Sequence, residues 1–240
     1  MMNSLVLVAA GKGTRIGGSI NKLLMEMHGH PLIWYTFKNI LDSKLLDEIV
    51  IVVKDTEKSQ FQQILSEFKH AIPIKWGQGG NTRVDSVING ISQISSKSEK
   101  LLIHDGARPL VGGDAIDQIL NKLGPAHPAV IFALPCIDTM KEINDEQVKK
   151  TVDRSKLYRA QTPQGVLTDL YKKALLQIKS LENITDDSSI FEAVKIPVTI
   201  IPGRENFFKV TTTEDWNRFS NMIYPSKIPA YIRVGEGSVS

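Results

Sequence analysis

Cysteine is nearly absent from the 240-residue sequence, in which Cys136 is the single example. One cysteine cannot build a disulfide scaffold or a CxxC metal site, so both classes are excluded. Long hydrophobic runs are also lacking: no stretch approaches the roughly 20 apolar residues that a membrane span needs. The N-terminus has the pattern of a strand and shows no basic leader, so we expect a cytoplasmic protein.

The charges show no marked excess of one sign. Lys and Arg number 29 against 26 Asp and Glu, which gives a formal net charge of +3. No run of basic residues interleaved with aromatic ones accompanies this balance, so a nucleic-acid binder is disfavoured. With 42% hydrophobic and 23% charged residues, the composition is typical of a soluble globular domain, and the length allows a sizeable core.

Short apolar runs alternate with segments of helical spacing through the first 135 residues. The apolar runs predict strands at residues 5–10, 49–53, 72–76, 100–104 and 129–133. Helical spacing predicts helices at residues 31–46, 59–68 and 83–94. Continuous rather than alternating apolarity is typical of strands buried on both faces, as in parallel sheets. The pattern therefore predicts an α/β fold with a Rossmann-like, doubly wound, mostly parallel sheet.

Residues 135–159 break this rhythm and predict a β-hairpin arm that projects from the sheet. Two short stems, at 138–143 and 148–152, flank the polar tip Asn144-Asp145-Glu146-Gln147. An isolated two-stranded ribbon is only marginally stable, so the arm is expected to pack on a second subunit or to fold back on its own domain. We expect one domain over residues 1–224 and a loosely ordered tail over residues 225–240.

A glycine-rich turn, Gly11-Lys12-Gly13-Thr14-Arg15-Ile16, directly follows the first predicted strand. It is not a dinucleotide fingerprint, which needs glycine in place of Ile16, and the residues that follow do not complete a P-loop. Glycines in such a turn let backbone N–H groups approach an anion. With Lys12, Arg15 and Lys22 nearby, the turn suits a polyphosphate. An ordinary strand–helix turn with solvated basic residues remains an equal alternative.

Two further segments place polar residues at the ends of predicted strands. Residues 79–86, Gly-Gly-Asn-Thr-Arg-Val-Asp-Ser, open a predicted helix with small residues against which a ligand's ring could lie. Asp105 and Arg108 follow a buried strand, at the edge where open α/β sheets bind ligands. A plain salt bridge is the simpler interpretation of that pair, and His104 is expected to be a packed histidine without a chemical role.

Taken together, eight segments resemble 2-C-methyl-D-erythritol 4-phosphate cytidylyltransferases over about residues 5–216. They are Ala9-Ala10-Gly11-Lys12-Gly13-Thr14-Arg15, Asn21-Lys22-Leu23, Arg83-Val84-Asp85-Ser86-Val87, His104-Asp105-Gly106-Ala107-Arg108-Pro109, Asp138-Thr139-Met140-Lys141, Thr162-Pro163-Gln164, Thr185-Asp186-Asp187 and Lys209-Val210-Thr211. Two positions depart from the family pattern. Asn21 stands where many members have proline, which affects loop stiffness, and Asn81 stands where many have aspartate, which affects selectivity for the base.

The resemblance implies a homodimer in which each arm, at about residues 135–159, reaches over the neighbouring active site. The domain at residues 1–224 would be a nucleotidyltransferase domain, with CTP and a sugar-alcohol phosphate as substrates and Mg²⁺ as cofactor. The catalytic residues would be Arg15, Lys22, Arg154 and Lys209. Nucleotide binding would involve Ala9, Ala10, Gly11, Lys12, Gly13, Gly80, Asn81, Ser86 and Gly106. Acceptor binding would involve Asp105, Arg108, Thr139, Arg154, Thr185 and Lys209. No protein ligand for the metal is assigned, because Mg²⁺ is expected mainly on the CTP phosphates.

The implied reaction is an in-line attack of the acceptor phosphate on the α-phosphate of CTP, which gives 4-diphosphocytidyl-2-C-methyl-D-erythritol and pyrophosphate. A phosphate monoester with a second pKa near 6 is mostly dianionic at neutral pH, so no general base is required. The difficulty is that two anions must meet. Catalysis is therefore expected to rest on positioning and on fixed positive charge.

Two alternatives remain open at this point. A ribitol-5-phosphate cytidylyltransferase, which makes CDP-ribitol, shares the chemistry, although Gly106-Ala107 and Val152-Asp153-Arg154 favour the methylerythritol enzyme. A pocket distinguishes groups of methylene size by only about 1–3 kcal/mol, so the sequence does not separate the two acceptors. A non-catalytic nucleotide-binding module is disfavoured, because it would not need both Arg15 with Lys22 and Arg154 with Lys209.

Overall fold

The computed structural model describes residues 2–11, 21–178, 180–181 and 184–224. Its strands are β1 (Met2–Val8), β2 (Glu26–Met27), β3 (His30–Pro31), β4 (Glu48–Val53), β5 (Ile74–Gln78), β6 (Ser98–Asp105), β7 (Ala129–Pro135), β8 (Met140–Asn144), β9 (Gln147–Val152), β10 (Tyr158–Leu167) and β11 (Val198–Pro202). Its α-helices are α1 (Leu32–Ile40), α2 (Lys58–Leu65), α3 (Arg83–Ile91), α4 (Gly113–Lys122), α5 (Thr168–Gln177), α6 (Asp187–Ala193) and α7 (Thr213–Ile223).

Seven strands form the central sheet in the order β11-β7-β10-β6-β1-β4-β5. All neighbouring pairs are parallel except those of β10, which runs antiparallel to both β6 and β7. The predicted Rossmann-like, mostly parallel α/β fold is confirmed. The carboxyl ends of β1, β4 and β6 meet at one edge, which is where such sheets bind ligands.

The central strands are continuously apolar because helices cover both faces of the sheet. Leu5 and Leu7 of β1 face a core cluster that includes Phe37 of α1 and Ile116 of α4. Val6, between them, faces a second cluster with Val87 of α3, Tyr171 of α5 and Phe191 of α6. Alternate residues of one strand thus feed two separate cores, as the pleat requires.

The helix predicted at residues 31–46 ends earlier, at Ile40. The reason is a set of tertiary hydrogen bonds to Asp117 of α4. The Ser43 hydroxyl donates to Asp117 Oδ1 at 2.5 Å, and the backbone N–H groups of Lys44 and Leu45 donate to the same carboxylate. These bonds replace the helical ones that the apolar spacing of the segment favours.

The arm contains the predicted hairpin. β8 and β9 pair antiparallel, from Met140 opposite Val152 to Asn144 opposite Gln147. Asp145 and Glu146 join them with φ angles of 45° and 67°, the positive values of a tight primed turn. Both strands are mostly exposed within this chain. The role of the arm in dimerisation and the domain limits at residue 224 stay predictions.

Residues 225–240, for which a loose tail was predicted, lie outside the described residues. None of the helices in the described ranges is long and apolar enough to cross a membrane.

Candidate active site

A cavity of about 540 Å³ opens where β1 and β6 end. Ala10 and Gly11 follow β1 along its wall, Asp105 ends β6, and Lys209 comes from the loop before α7. The volume is that of a small-molecule site, which in proteins is about 300–1,000 Å³. The cavity therefore lies at the edge that the fold class predicts, and it is lined by residues from five of the segments that carry the resemblance.

Two of the four predicted catalytic cations converge on this cavity. Lys22 lies in a single 3₁₀ turn, Lys22–Leu24, and its Nζ donates to the Val210 carbonyl oxygen at 2.6 Å. That bond brings Lys22 beside the loop of Lys209 and Thr211, and all three line the cavity. Lys54, for which no role in the site was predicted, also belongs to the lining, and its Nζ is paired with Glu57 Oε1 at 3.0 Å.

Asn21 holds the start of the Lys22 turn with three hydrogen bonds. Its side-chain amide donates to the Ala9 carbonyl at 3.1 Å and to Glu57 Oε2 at 2.8 Å, and its Oδ1 accepts from the Leu23 N–H at 3.1 Å. The side chain is buried. Asn21 thus restrains the loop by hydrogen bonding at the position where proline would restrain it through φ.

Small residues shape the wall beside the N-terminus of α3. The Gly80 N–H donates to Ser86 Oγ at 3.0 Å, and that hydroxyl donates in turn to the Thr82 carbonyl at 3.0 Å. A Cβ on Gly80 would lie 2.2 Å from Asp85 Cβ and 2.9 Å from the Asp85 carbonyl carbon. Glycine is therefore required for this close approach, and Asn81 follows it as an exposed residue of the lining.

Asp105 is the centre of a cationic cluster. Its carboxylate lies 3.0 Å from Arg83 Nε, 2.9 Å from Lys209 Nζ and 3.7 Å from Arg108 Nε. Burial alone would raise the pKa of Asp105, but Arg83, Lys209 and Arg108 outweigh it and hold that pKa well below its usual range. Asp105 is consequently an anion throughout the neutral range, and it is committed to cations of the protein.

Arg83 and Asp187 belong to the sequence motifs, but no role in the site was predicted for them. Arg83 lines the cavity, and its Nη2 lies 2.8 Å from Asp187 Oδ2. The Tyr171 hydroxyl donates to the other carboxylate oxygen of Asp187 at 2.9 Å. Burial raises the pKa of Asp187, whereas Arg83 and the Tyr171 hydroxyl act to lower it. The sequence did contain a signal that Arg83 lies at the site: it stands three residues after Gly80, in the first turn of α3.

His104 is a packed residue, as expected. It is fully buried, and its Nδ1 lies 3.1 Å from Thr162 Oγ1. Burial lowers its pKa to about 3, with Arg108 and Lys209 acting in the same direction and Asp105 opposing them. The ring is therefore neutral near pH 7. Gly106 makes backbone hydrogen bonds that connect the end of β6 to neighbouring elements. Its N–H donates to the Val8 carbonyl, and its carbonyl accepts from Thr36 Oγ1.

The single chain brings together only part of the predicted site. The cavity lining contains the predicted residues Ala10, Gly11, Lys22, Gly80, Asn81, Ser86, Asp105 and Lys209. Thr139 and Arg154 are exposed on the arm, where Arg154 Nη1 donates to the Ile137 carbonyl. Lys12, Gly13 and Arg15 lie outside the described residues.

Four further assigned residues are not in the lining: Ala9, Gly106, Arg108 and Thr185. Arg108 contacts Asp105 and also donates to the Phe207 carbonyl at 2.6 Å. Ala9 is buried, and Thr185 is exposed two residues before Asp187. Ala9, Gly106 and Arg108 each adjoin a lining residue in the sequence, and Asp187, two residues after Thr185, contacts Arg83 of the lining.

Comparison with known proteins gives a consistent result. A sequence model described as 2-C-methyl-D-erythritol 4-phosphate cytidylyltransferase matches residues 3–223. Proteins of that name from Prochlorococcus marinus subsp. pastoris and Nostoc punctiforme are 38% and 35% identical to this chain. The matches cover 88% of this chain in both cases, and 94% and 93% of the two relatives.

Solved structures agree with the sequence relatives. 4-diphosphocytidyl-2C-methyl-D-erythritol synthase from Anaerococcus prevotii superposes with a TM-score of 0.79 at 28% identity, covering 92% of this chain and 95% of that one. Bifunctional IspDF from Campylobacter jejuni superposes with a TM-score of 0.74 at 29% identity, covering 91% of this chain and 54% of that longer one. The chain is a nucleotidyltransferase, and it belongs to the 2-C-methyl-D-erythritol 4-phosphate cytidylyltransferase family.

Proposed function

We propose that this protein joins CTP and 2-C-methyl-D-erythritol 4-phosphate to give 4-diphosphocytidyl-2-C-methyl-D-erythritol and pyrophosphate. The observation that carries the proposal is the convergence of Lys22 and Lys209 on one cavity that is also lined by the glycine-rich backbone before α3. The cations suit the phosphates, and the close-packed backbone suits a planar base. Membership of the family supports the same substrates.

The chemistry needs no general base from the protein. An oxygen of the dianionic acceptor phosphate forms a bond to the α-phosphorus, the bond from that phosphorus to the bridging oxygen breaks, and pyrophosphate leaves. The residues of the site suit this reaction, because His104 is neutral and buried and Asp105 is held as an anion by its cations. What the site supplies is positive charge where negative charge accumulates.

In this scheme Lys22, with Arg15, stabilises the α-phosphate and the departing pyrophosphate. Lys209 binds the acceptor phosphate, and Arg154 joins it from the arm of the partner subunit. Asp105, Arg108, Thr185 and the partner's Thr139 contact the acceptor. The nucleotide lies against the remaining predicted residues, which are Ala9, Ala10, Gly11, Lys12, Gly13, Gly80, Asn81, Ser86 and Gly106.

We propose that Mg²⁺ enters on the triphosphate. The described residues contain no cluster of three or more His, Cys, Asp or Glu side chains that could hold a metal. Asp105 is the one acidic residue among the described residues of the lining, and its oxygens contact Arg83 and Lys209. The donor set therefore fits an ion carried by phosphate oxygens rather than an ion resident on the protein.

The exposure of the arm supports a homodimer as the working form. Ile143 and Val148 are 65% and 62% exposed within one chain, and a partner surface would cover them. A cytoplasmic location stays a prediction.

The test is release of pyrophosphate from CTP, measured with purified protein, Mg²⁺ and each acceptor separately. We expect turnover with 2-C-methyl-D-erythritol 4-phosphate and, in a parallel reaction with GTP or ATP, much less. Faster turnover with ribitol 5-phosphate would transfer the proposal to that acceptor. Binding of CTP without turnover on either acceptor would leave only a nucleotide-binding module.

A further inference from the structure

A continuous chain of short polar contacts leads from the buried core into the lining of the cavity. It runs from Tyr171 through Asp187, Arg83 and Asp105 to Lys209, with steps of 2.9, 2.8, 3.0 and 2.9 Å. Its members come from α5, α6, α3, the end of β6 and the loop before α7. Five separate parts of the fold are thus connected through one row of side chains.

Arg83 is the branch point of this chain. Its Nε contacts Asp105, whereas its Nη2 contacts Asp187, so one guanidinium bridges two carboxylates. Asp187 is 1% exposed and Asp105 is 6% exposed, which leaves little water to screen either charge. A planar guanidinium can hold two such partners in fixed directions, whereas an ammonium presents a single charged nitrogen.

The electrostatic consequence falls on Lys209. Both carboxylates together carry two negative charges, and Arg83, Arg108 and Lys209 carry three positive ones, so the cluster keeps one net positive charge at the cavity. Without Arg83, the negative charge of Asp105 would be shared by fewer cations, so it would neutralise more of the positive charge of Lys209. The positive electrostatic potential that attracts an incoming dianion would then be weaker.

The mechanical consequence falls on two segments of the site. Asp187 is the first residue of α6, directly after the segment that carries Thr185. Arg83 is the first residue of α3, the helix that carries Ser86. Their contact ties the segment on the acceptor side to the helix on the nucleotide side.

We propose that Arg83 and Asp187 are positioning residues for the acceptor phosphate. Asp187 fixes the guanidinium of Arg83, and Arg83 shares the Asp105 carboxylate with Lys209. Asp105 therefore orients the Lys209 ammonium without fully neutralising its positive charge. The inference rests on the proposed function, because Lys209 matters in this way only if the second substrate is anionic. It predicts that the pair affects the acceptor more than the nucleotide.

The central variants are Arg83→Lys and Asp187→Asn, which preserve size and remove either the fork or one charge. We expect the KM for 2-C-methyl-D-erythritol 4-phosphate to rise by about tenfold or more in each, the scale of one lost charge-assisted hydrogen bond. The Kd for CTP, measured by titration calorimetry without acceptor, is expected to change by less than about threefold, because the Arg83 side chain contacts Asp105 and Asp187 and neither carboxylate is assigned to the nucleotide. The double variant R83M/D187N removes both charges together and is the fallback if a single variant does not fold.

Lys75→Met is the matched control. Lys75 Nζ lies 2.8 Å from Glu48 Oε2, and that carboxylate is 1% exposed. Both this variant and Arg83→Lys change the cation beside a buried carboxylate and leave the other partners of that carboxylate in place. For Glu48, those partners are the Ser4 hydroxyl and the Ser95 N–H, which both donate to it. Glu48 is the first residue of β4, so it lies at the amino-terminal end of the strand, whereas the cavity lies at the carboxyl ends of the strands. We expect a lower melting temperature with an unchanged KM for the acceptor.

The outcomes separate this inference from the proposed function. A wild-type protein that shows no turnover with a sugar-alcohol phosphate overturns both. A wild-type protein that turns over, with Arg83→Lys and Asp187→Asn within about twofold of it in acceptor KM, overturns the positioning role alone. The positioning role is also overturned if acceptor and CTP binding weaken equally, or if Lys75→Met raises the acceptor KM as much.

Discussion

The cavity and the arm both carry residues predicted for one reaction, but the cavity is built around a buried carboxylate that is paired within the chain, whereas the predicted residues of the arm are exposed. In the cavity, Asp105 is 6% exposed and contacts three cations, two of which come from other parts of the fold. On the arm, Ile143 and Val148 are 65% and 62% exposed, and both hairpin strands lie open. The cavity is organised by one chain alone, whereas the arm presents surface that one chain leaves uncovered. The proposed reaction uses both the charge array of the cavity and the surface of the arm, and each can be tested separately.

The largest effect is expected inside the cavity, for Lys22→Ala. The loss of one preorganised charge from the phosphate site is expected to lower kcat by about 10² to 10³. CTP binding is expected to fall less, because other residues also hold the nucleotide. Steady-state kinetics with calorimetric CTP titration measures both quantities, and near-normal turnover would remove Lys22 from its assigned role.

A smaller effect is expected on the arm, for Arg154→Ala. Loss of one cation that contacts the acceptor phosphate is expected to raise the acceptor KM by about 10- to 100-fold. If the arm works across subunits, mixed dimers of Arg154→Ala and Lys22→Ala contain one intact site. Random mixing then restores about a quarter of wild-type activity. Confirmed heterodimers without such recovery would contradict an arm that acts on its neighbour.

The glycine wall of the cavity gives the next effect. Gly80→Ala places a Cβ against the backbone of Asp85, so the segment must move away from α3. We expect the Kd for CTP to rise by about tenfold, since close packing tolerates such a group poorly. Gly124→Ala is the control, because a Cβ there meets nothing within 4 Å. Equal CTP affinity in the two variants would show that this wall does not contact the nucleotide.

The smallest effect concerns stability beneath the cavity. Burial lowers the pKa of His104 to about 3 from 6.5, so the folded protein favours the neutral ring. The unfolded chain takes up the proton as pH falls below 6.5, and the contribution of His104 to stability is therefore complete above that pH and is lost toward pH 3. Between about pH 6 and pH 5 we expect a loss of about 1 kcal/mol in the free energy of unfolding.

Urea denaturation at several pH values measures this loss, and His104→Gln serves as the variant. The part of the pH dependence that belongs to His104 is expected to disappear in it. An identical slope in the two proteins would mean that the buried ring does not titrate on unfolding.

Regular local patterns made most of the fold predictable. The strand predicted at residues 49–53 is β4, because a run of isoleucine and valine buried on both faces has few other conformations available. β10 has no counterpart among the predicted strands. Pro163 lies within it and cannot donate a ladder hydrogen bond, and the register shifts between Gln161 and Gln164. The sequence pattern is therefore interrupted where the strand continues.

The site was predictable residue by residue but not as a network. Lys22 and Lys209 follow from the resemblance, and both line the cavity. The contact between Arg83 and Asp187 joins residues that are 104 positions apart, and either side chain alone resembles a solvated charge at the start of a helix. Nothing in local spacing distinguishes such a charge from a buried partner.

Periodicity and composition were enough to specify a parallel sheet covered by helices, a hairpin tip and the residue types of the site, because each of these depends on neighbours a few positions away. The order of the strands decided which side chains meet at the Asp105 and Asp187 carboxylates. It brings β6, α3, α6 and the loop before α7 to the same end of the sheet. Burial then made those contacts decisive, since a charge removed from water must find its partner within a few ångströms.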